Sequence, residues 1–103
     1  MVTKIVTKDD AARYLGDVAP EQSFWVNNGP VVKNIEELAN ALPQLSDETF
    51  QHHANKDKND FSSWINDVVG DKKLANDLLS SKDKNSLCKK LRSRLAMLKK
   101  KAA

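Results

Sequence analysis

The sequence predicts a mainly α-helical single domain with about five to six short helices and one β-hairpin near residues 23–33. Apolar residues recur at three- and four-residue spacing in several separate segments, which is the pattern of helices that bury one face. Polar residues, Gly or Pro interrupt these segments at short intervals, and one β-prone stretch flanks an Asn-Gly dipeptide. At 103 residues the chain has the size of one domain with a modest core.

One short helix is predicted near the start of the chain. Thr7 is a typical N-cap residue because its hydroxyl group can accept a backbone N–H of the first turn. Asp9 and Asp10 follow in that turn, where negative charge suits the positive end of the helix dipole. Gly16 is expected to end the helix.

A β-hairpin is predicted between Phe24 and Val32. Two β-prone runs flank Asn28-Gly29, a dipeptide whose tolerance of positive φ suits a tight turn. Pro30 has no N–H to donate to the strand ladder, so the second strand is expected to begin late or to lie at an edge.

Two helices are predicted after the hairpin. Asn34 followed by Glu37 is a capping-box pattern, and the helix that it opens is expected to end before Pro43. The next helix is expected to carry Phe50 and His53 on one face, because residues three apart lie together on a helix. A short polar and charged loop follows it.

The strongest apolar stripe predicts a helix at the centre of the core, and its apolar residues are Phe61, Trp64, Ile65, Val68 and Val69. Asn59 and Asp60 precede it and are expected to cap it. Gly70 and Asp71 supply a stop and a restart. The helix that follows is marked by Leu74, Ala75, Leu78 and Leu79.

The last predicted element is a basic amphipathic helix from Ser86 to Lys101, with an apolar stripe of Leu87, Leu91, Leu95 and Leu98. Residues 82–101 carry nine Lys and Arg against Asp83 alone, a net charge of +8, so the rest of the chain carries −5 of the total of +3. We divide the chain into a helical core with the hairpin, residues 1–81, and this helix, residues 82–103, as parts of one domain. The helix either packs on the core or projects from it.

Composition predicts a cytoplasmic protein without a membrane span. No apolar run approaches the roughly 18 residues that cross a bilayer, and the N-terminus lacks a basic segment followed by an apolar stretch. Cys88 is the only cysteine, which fits a reducing compartment because no internal disulfide can form. It is expected to be a small, partly buried side chain.

Sequence motifs for catalysis or metal binding are missing. The three glycines form no phosphate-binding loop and no nucleophile elbow. His52 and His53 lie near Asp57 and Asp60, but adjacent side chains on a helix diverge by about 100° and no second cluster completes a metal site. The structural alternative places His53 beside Phe50, partly buried and bonded to a loop group. We expect no enzyme activity, no catalytic residue, no cofactor and no metal, and a small metal-dependent enzyme ranks last.

Three roles fit the basic residues of the last helix, which are Lys89, Lys90, Arg92, Arg94, Lys99, Lys100 and Lys101. They form a solvated face around the leucine stripe, they contact phosphates of DNA or RNA, or they bind an anionic membrane surface or an acidic protein. No aromatic residue is interleaved with them, so a nucleic-acid contact would be made to the backbone rather than to bases. A single unopposed basic face would favour nucleic acid, and pairing with the acidic core would not.

An ordered set of residues between Asp10 and Leu79 forms a recognisable pattern. It comprises Phe24-Trp25 with Gly29, Leu38 to Leu42, Phe50 with His53, Asn59-Asp60-Phe61 with Trp64-Ile65, and Val69-Gly70-Asp71 with Leu74-Ala75. The pattern resembles that of an uncharacterised prokaryotic family, best represented in archaea and catalogued as a domain of unknown function. The resemblance implies a small helical domain, stand-alone or appended, and brings no activity, cofactor or catalytic residue. The basic tail after Lys82 lies outside the pattern.

The predicted function is that of a non-enzymatic interaction module that presents the hairpin and the 52–60 loop to another protein or to a second copy of the chain. The candidate interaction residues are Trp25, Asn28, His53, Asp60 and Trp64. An exposed tryptophan would anchor a partner, whereas a buried one would belong to the core. The alternative is a nucleic-acid-associated protein that contacts the phosphate backbone through the basic C-terminal helix. The sequence leaves the partner and the oligomeric state open.

Overall fold

In a computed structural model, residues 6–27, 29–81 and 83–103 are described, and they form α-helices and one two-stranded antiparallel sheet. The helices are α1 (Lys8–Leu15), α2 (Ile35–Ala41), α3 (Asp47–His53), α4 (Asp60–Trp64), α5 (Lys72–Leu79) and α6 (Lys84–Ala102). The strands are β1 (Phe24–Trp25) and β2 (Val31–Val32), and short 3-10 turns cover Pro20–Gln22 and Leu42–Gln44. The predicted mainly α-helical fold with one hairpin is confirmed.

Side chains at the predicted N-caps start α1 and α2. The Thr7 hydroxyl accepts the Asp10 N–H at 3.1 Å, and the Asp10 carboxylate accepts the Thr7 N–H at 3.3 Å, which closes a capping box. Asn34 Oδ1 accepts the Glu37 N–H at 2.8 Å, but the Glu37 carboxylate accepts the Lys33 N–H rather than that of Asn34. The capping box predicted at Asn34 is therefore only half formed, because Glu37 reaches one residue further back.

The cap of α4 and the start of α6 differ from the predicted ones. Asn59 alone caps α4, since its Oδ1 accepts the Ser62 N–H at 3.0 Å. The expectation that Asp60 also caps this helix is wrong, because its carboxylate is directed to the end of α3 instead. Asp83 Oδ1 accepts the Ser86 N–H at 2.7 Å, so α6 begins before Ser86, where the apolar spacing alone had placed its start.

The central apolar stripe does not form one regular α-helix. After α4 the chain makes a π-helical turn over Ile65–Val69, and Gly70 ends it in the left-handed region with a φ of 90°. The Gly70 N–H donates to the Ile65 carbonyl at 2.7 Å. Four of the five predicted stripe residues are buried in the core, Phe61, Trp64, Ile65 and Val69, whereas Val68 is only partly buried against it.

The hairpin pairs Phe24 with Val32 and Trp25 with Val31. The Val26 N–H donates to the Pro30 carbonyl at 3.1 Å, so pairing of the two chain segments continues past β1 only as far as these residues. The connection between the strands is therefore wider than the two-residue turn that Asn-Gly favours. The second strand begins directly after the proline, as predicted.

Gly29 lies in close contact with the buried Val26 side chain. A Cβ at this position would be 2.8 Å from Val26 Cγ1, and a β-branched side chain that is 5% exposed has little freedom to move. We expect Gly29→Ala to lower the free energy of unfolding by about 1–3 kcal/mol in urea denaturation. Gly16→Ala is the matched control, because its Cβ would meet no atom closer than 3.5 Å and its φ of −70° suits alanine. Equal effects of the two substitutions would contradict this packing.

The C-terminal helix α6 packs on the core. Its leucine stripe is buried against α1, α2 and α5 and consists of Leu87, Leu91, Leu95 and Leu98. The rings of Phe24 and Phe50 stack on that of Phe61, with centroid distances of 5.2 and 5.8 Å. The same apolar cluster therefore joins the hairpin, α3 and α4 to α6. No helix in the described ranges has both the length and the apolar content to cross a bilayer.

Candidate functional site

His53 lies at the end of α3 and connects the hairpin to the start of α4. It is 6% exposed, and its ring packs edge-on against Phe24 with 5.0 Å between the centroids. Nε2 is 2.9 Å from the Asn27 amide nitrogen, and Nδ1 is 3.0 Å from Asp60 Oδ2. Because the amide can only donate, Nε2 accepts and the ring proton lies on Nδ1, where it donates to Asp60. His53 is thus a buried connector rather than a surface contact.

The predicted cluster of His53, Asp57 and Asp60 does not assemble as a metal site. Both ring nitrogens of His53 are engaged, and Lys58 Nζ lies 3.1 Å from Asp60 Oδ2. Across the described ranges Asp57 has no side-chain hydrogen bond or ion pair to either residue, and no three His, Cys, Asp or Glu side chains are arranged to hold a metal ion. The structure brings together His53 and Asp60 but not Asp57.

Trp64 is part of the core. It is 8% exposed, and its indole Nε1 donates to the Gln22 carbonyl at 2.8 Å. Its ring also packs edge-on against Phe24, with 5.9 Å between the centroids. The indole is enclosed and its polar atom is satisfied, so we do not retain Trp64 as a candidate interaction residue.

Trp25 is 72% exposed on the hairpin, opposite Val31, which is 46% exposed. Val26 and Pro30 form the neighbouring hydrogen-bonded pair, so Trp25 and Val31 are a non-hydrogen-bonded pair, in which opposite side chains approach each other. We call these two side chains the hairpin patch. The remaining hairpin candidate, Asn28, lies outside the described residues.

The loop after α3 is folded back on itself and lies beside the hairpin loop. Within residues 54–59 the Asn55 N–H donates to the Lys58 carbonyl at 2.8 Å. This segment directly follows His53, whose bond to Asn27 therefore fixes it next to the chain reversal of the hairpin. The two loops that the sequence proposes as one surface are neighbours.

A groove of about 780 Å³ lies beside residues 54–59. It is lined by α3, by this segment and by the junction of α5 and α6, and Phe50 and Leu79 supply apolar surface to it. The apolar stripe predicted for α5 includes Leu79, but this residue is 62% exposed because it is the last residue of the helix and faces the groove. Sequence periodicity missed the groove, since its parts come from separate helices.

Arg94, a predicted phosphate contact, is bound to the core. Its Nε and Nη2 donate to the two carboxylate oxygens of Asp71, both at 2.8 Å. The Asp71 side chain is 1% exposed and also accepts the Leu74 N–H at the start of α5. Arg94 therefore holds α6 to α5 through an ion pair and is not retained as a phosphate contact.

The other basic residues of α6 divide into two groups. Lys99 Nζ lies 2.7 Å from Glu36 Oε2, and Lys90 and Arg92 donate to main-chain carbonyl groups of α5 and α2. Three exposed residues have side chains that make no hydrogen bond or ion pair with the described part of the chain: Lys89, Lys100 and Lys101. The predicted phosphate-contacting set is therefore partly paired with the core and does not form one unopposed face.

Cys88 lies half-buried in α6. Burial raises the pKa of its thiol, and the positive charges of Lys84 and Arg92 offset this increase in part. The reactive thiolate form is therefore scarce near neutral pH, in keeping with a partly buried packing residue.

Comparisons of the chain with protein-family models, with curated proteins and with solved structures found no match. The resemblance of Asp10 to Leu79 to an uncharacterised family therefore stays a prediction. The surface features that remain for a functional site are the exposed hairpin patch, the groove beside residues 54–59, and the side chains of Lys89, Lys100 and Lys101.

Proposed function

We propose that this chain is a non-enzymatic protein-interaction module that binds a partner protein through the hairpin patch. The observation that carries the proposal is the 72% exposure of Trp25. The other aromatic residues are each at most 8% exposed and are Tyr14, Phe24, Phe50, Phe61 and Trp64. The fold buries its other aromatic rings and exposes one indole to solvent. A single exposed tryptophan of this kind is typical of the residue that anchors a protein interface.

The hairpin directs Trp25 toward solvent. The adjacent cross-strand pair, Phe24 and Val32, is 8% and 2% exposed, so strand alternation turns Trp25 outward. The Val18 N–H donates to the Lys33 carbonyl at 2.7 Å and ties β2 to the preceding loop. The backbone at Trp25 is already ordered by strand pairing and loses less conformational entropy on binding, which supports the use of this residue as an anchor.

The shape of the patch favours a different protein over a second copy as the partner. Stable interfaces bury about 800 Å² on each partner. Two copies meeting through strands of two residues each would bury mainly Trp25 and Val31, far below that area. A partner with a concave apolar pocket can enclose the indole and contact the surrounding loops as well. We therefore assign the patch to such a protein.

Photo-crosslinking tests this proposal. A photo-reactive amino acid in place of Val31 preserves Trp25, and the same amino acid in place of the exposed Ala96 on α6 is the control. In cells that make the protein, we expect one discrete protein adduct from position 31, none from position 96, and loss of the adduct on Trp25→Ala. The adduct protein, once purified, should bind the purified chain. Adducts consisting only of a second copy, or no adduct at position 31, would overturn the proposal.

A second candidate function is nucleic-acid binding through α6, favoured by the absence of partners for Lys89, Lys100 and Lys101 in the described part of the chain. Fluorescence anisotropy with DNA and RNA tests it in the intact chain, because removing α6 would expose the buried leucines. Replacing the three lysines by glutamine should abolish low-salt binding, whereas Lys56→Gln should not. Since only phosphate contacts are available, binding that persists at high salt would exclude this mode.

A further inference from the structure

The hydrogen bond between His53 and Asn27 exists for only one charge state of the imidazole ring. Nε2 accepts the Asn27 N–H at 2.9 Å, which requires a lone pair on that nitrogen. The neutral ring with its proton on Nδ1 satisfies both contacts, because Nδ1 then donates to Asp60 Oδ2 at 3.0 Å. The chain reversal that follows Trp25 is thus held by a neutral histidine.

Proton uptake reverses the character of Nε2. The imidazolium ring carries an N–H on both nitrogens, so two donors would face each other across the 2.9 Å between Nε2 and the Asn27 nitrogen. The contact with Asp60 survives, since a charged donor strengthens it. His53 cannot retain both bonds, and the bond to the hairpin is the one that must break.

Charged and titratable groups lie close to the His53 ring. Asp60 on α4 faces Nδ1 of the ring, and Lys58 Nζ lies 3.1 Å from the same carboxylate oxygen. His52 on α3 packs edge-on at 4.9 Å between centroids and repels the charged ring when it is itself protonated. From the hairpin, the described residues in contact with the ring are Phe24 and Asn27, and neither is titratable.

We propose that His53 is a pH-sensitive latch on the hairpin loop: its protonation releases the Asn27 amide and loosens the support of Trp25. Histidine is the side chain whose charge change is used in pH-sensitive switches, and protonation of His53 would weaken the support of the hairpin patch. The effect on partner binding depends on the proposed function. The effect on the loop does not.

NMR of a His52→Gln variant tests the latch, because His53 is then the only histidine in the chain. At about pH 8 the ring spectrum should show a proton on Nδ1 and none on Nε2. On acidification to about pH 5 the protection factor of the Asn27 amide should fall about tenfold, and this decrease should have the same midpoint as the titration of the ring. The Val18 amide, which ties the preceding loop to the Lys33 carbonyl directly after β2, is the internal control and should stay protected.

The other outcomes overturn the latch. A proton on Nε2 at about pH 8, an Asn27 amide that does not follow the ring, or simultaneous loss of the Asn27 and Val18 amides would each contradict it. Partner binding separates the two proposals. If acid released the partner while the protection of the Asn27 amide stayed unchanged, the latch alone would be refuted. If the protection of the Asn27 amide followed the ring but Trp25→Ala did not change partner binding, the proposed function alone would be refuted.

Discussion

Asp71→Ala is expected to lower the free energy of unfolding by about 3–5 kcal/mol. The carboxylate is 1% exposed and receives two hydrogen bonds of 2.8 Å from Arg94, whose side chain is 11% exposed. Removing it leaves the guanidinium group enclosed without its counter-charge and deprives the Leu74 N–H of its cap. Urea denaturation followed by circular dichroism measures the change.

Two variants isolate the cause of this loss. Asp71→Asn keeps an acceptor for the Leu74 N–H but places an NH2 group against the Arg94 Nε–H, so its loss of stability reports the ion pair with Arg94 without the loss of the cap. Glu36→Ala breaks an ion pair with Lys99 whose side chains are each 50% exposed, and we expect it to cost no more than about 1 kcal/mol. An Asp71→Ala loss as small as that of Glu36→Ala would show that α6 does not depend on the ion pair for docking.

Phe61→Ala is expected to lower the free energy of unfolding by about 3–5 kcal/mol as well. The ring is fully buried and stacks on Phe24 and Phe50, so its removal opens a cavity where the hairpin, α3 and α4 meet. His53, with its ring centroid 5.5 Å away, would lose a packing partner too. Thermal and urea unfolding measure the effect.

The stability of Phe61→Leu, compared with that of Phe61→Ala, tests whether the size of the side chain at position 61 matters. Phe61→Leu retains most of the apolar volume and should lose clearly less stability than Phe61→Ala, because a smaller cavity remains. Equal losses for the two variants would mean that the surrounding residues collapse into the space. In that case the aromatic cluster would not be the rigid support of the hairpin.

Local chemistry accounts for the parts of the fold that were predictable. The Thr7 cap, the hairpin and the leucine stripe of α6 each depend on residues close together in the sequence. The π-helical turn over 65–69 was not predictable, because the spacing of its apolar residues suits a regular α-helix as well. The bond between Asp71 and Arg94 was not predictable either, since it joins side chains 23 positions apart.

The candidate site was only partly predictable for a similar reason. Strand alternation implies that one of Phe24 and Trp25 faces outward, but the choice depends on Phe61 and Phe50, which meet Phe24 only in the folded chain. His53 carries the residue type of a functional site, and its role as a connector became clear from Asn27, a distant backbone donor. Residue type alone therefore overstated the number of exposed candidates.

Calorimetric titration of the purified chain with the partner identified by cross-linking tests most directly whether Trp25 anchors a partner protein. We expect Trp25→Ala to weaken binding by about 2 kcal/mol or more, roughly thirtyfold in Kd, because an enclosed tryptophan is a typical hot spot. Leu79→Ala removes another exposed apolar side chain, 62% exposed and outside the hairpin patch, and should change the affinity much less. Unchanged affinity for Trp25→Ala, with the fold intact by circular dichroism, would contradict the claim.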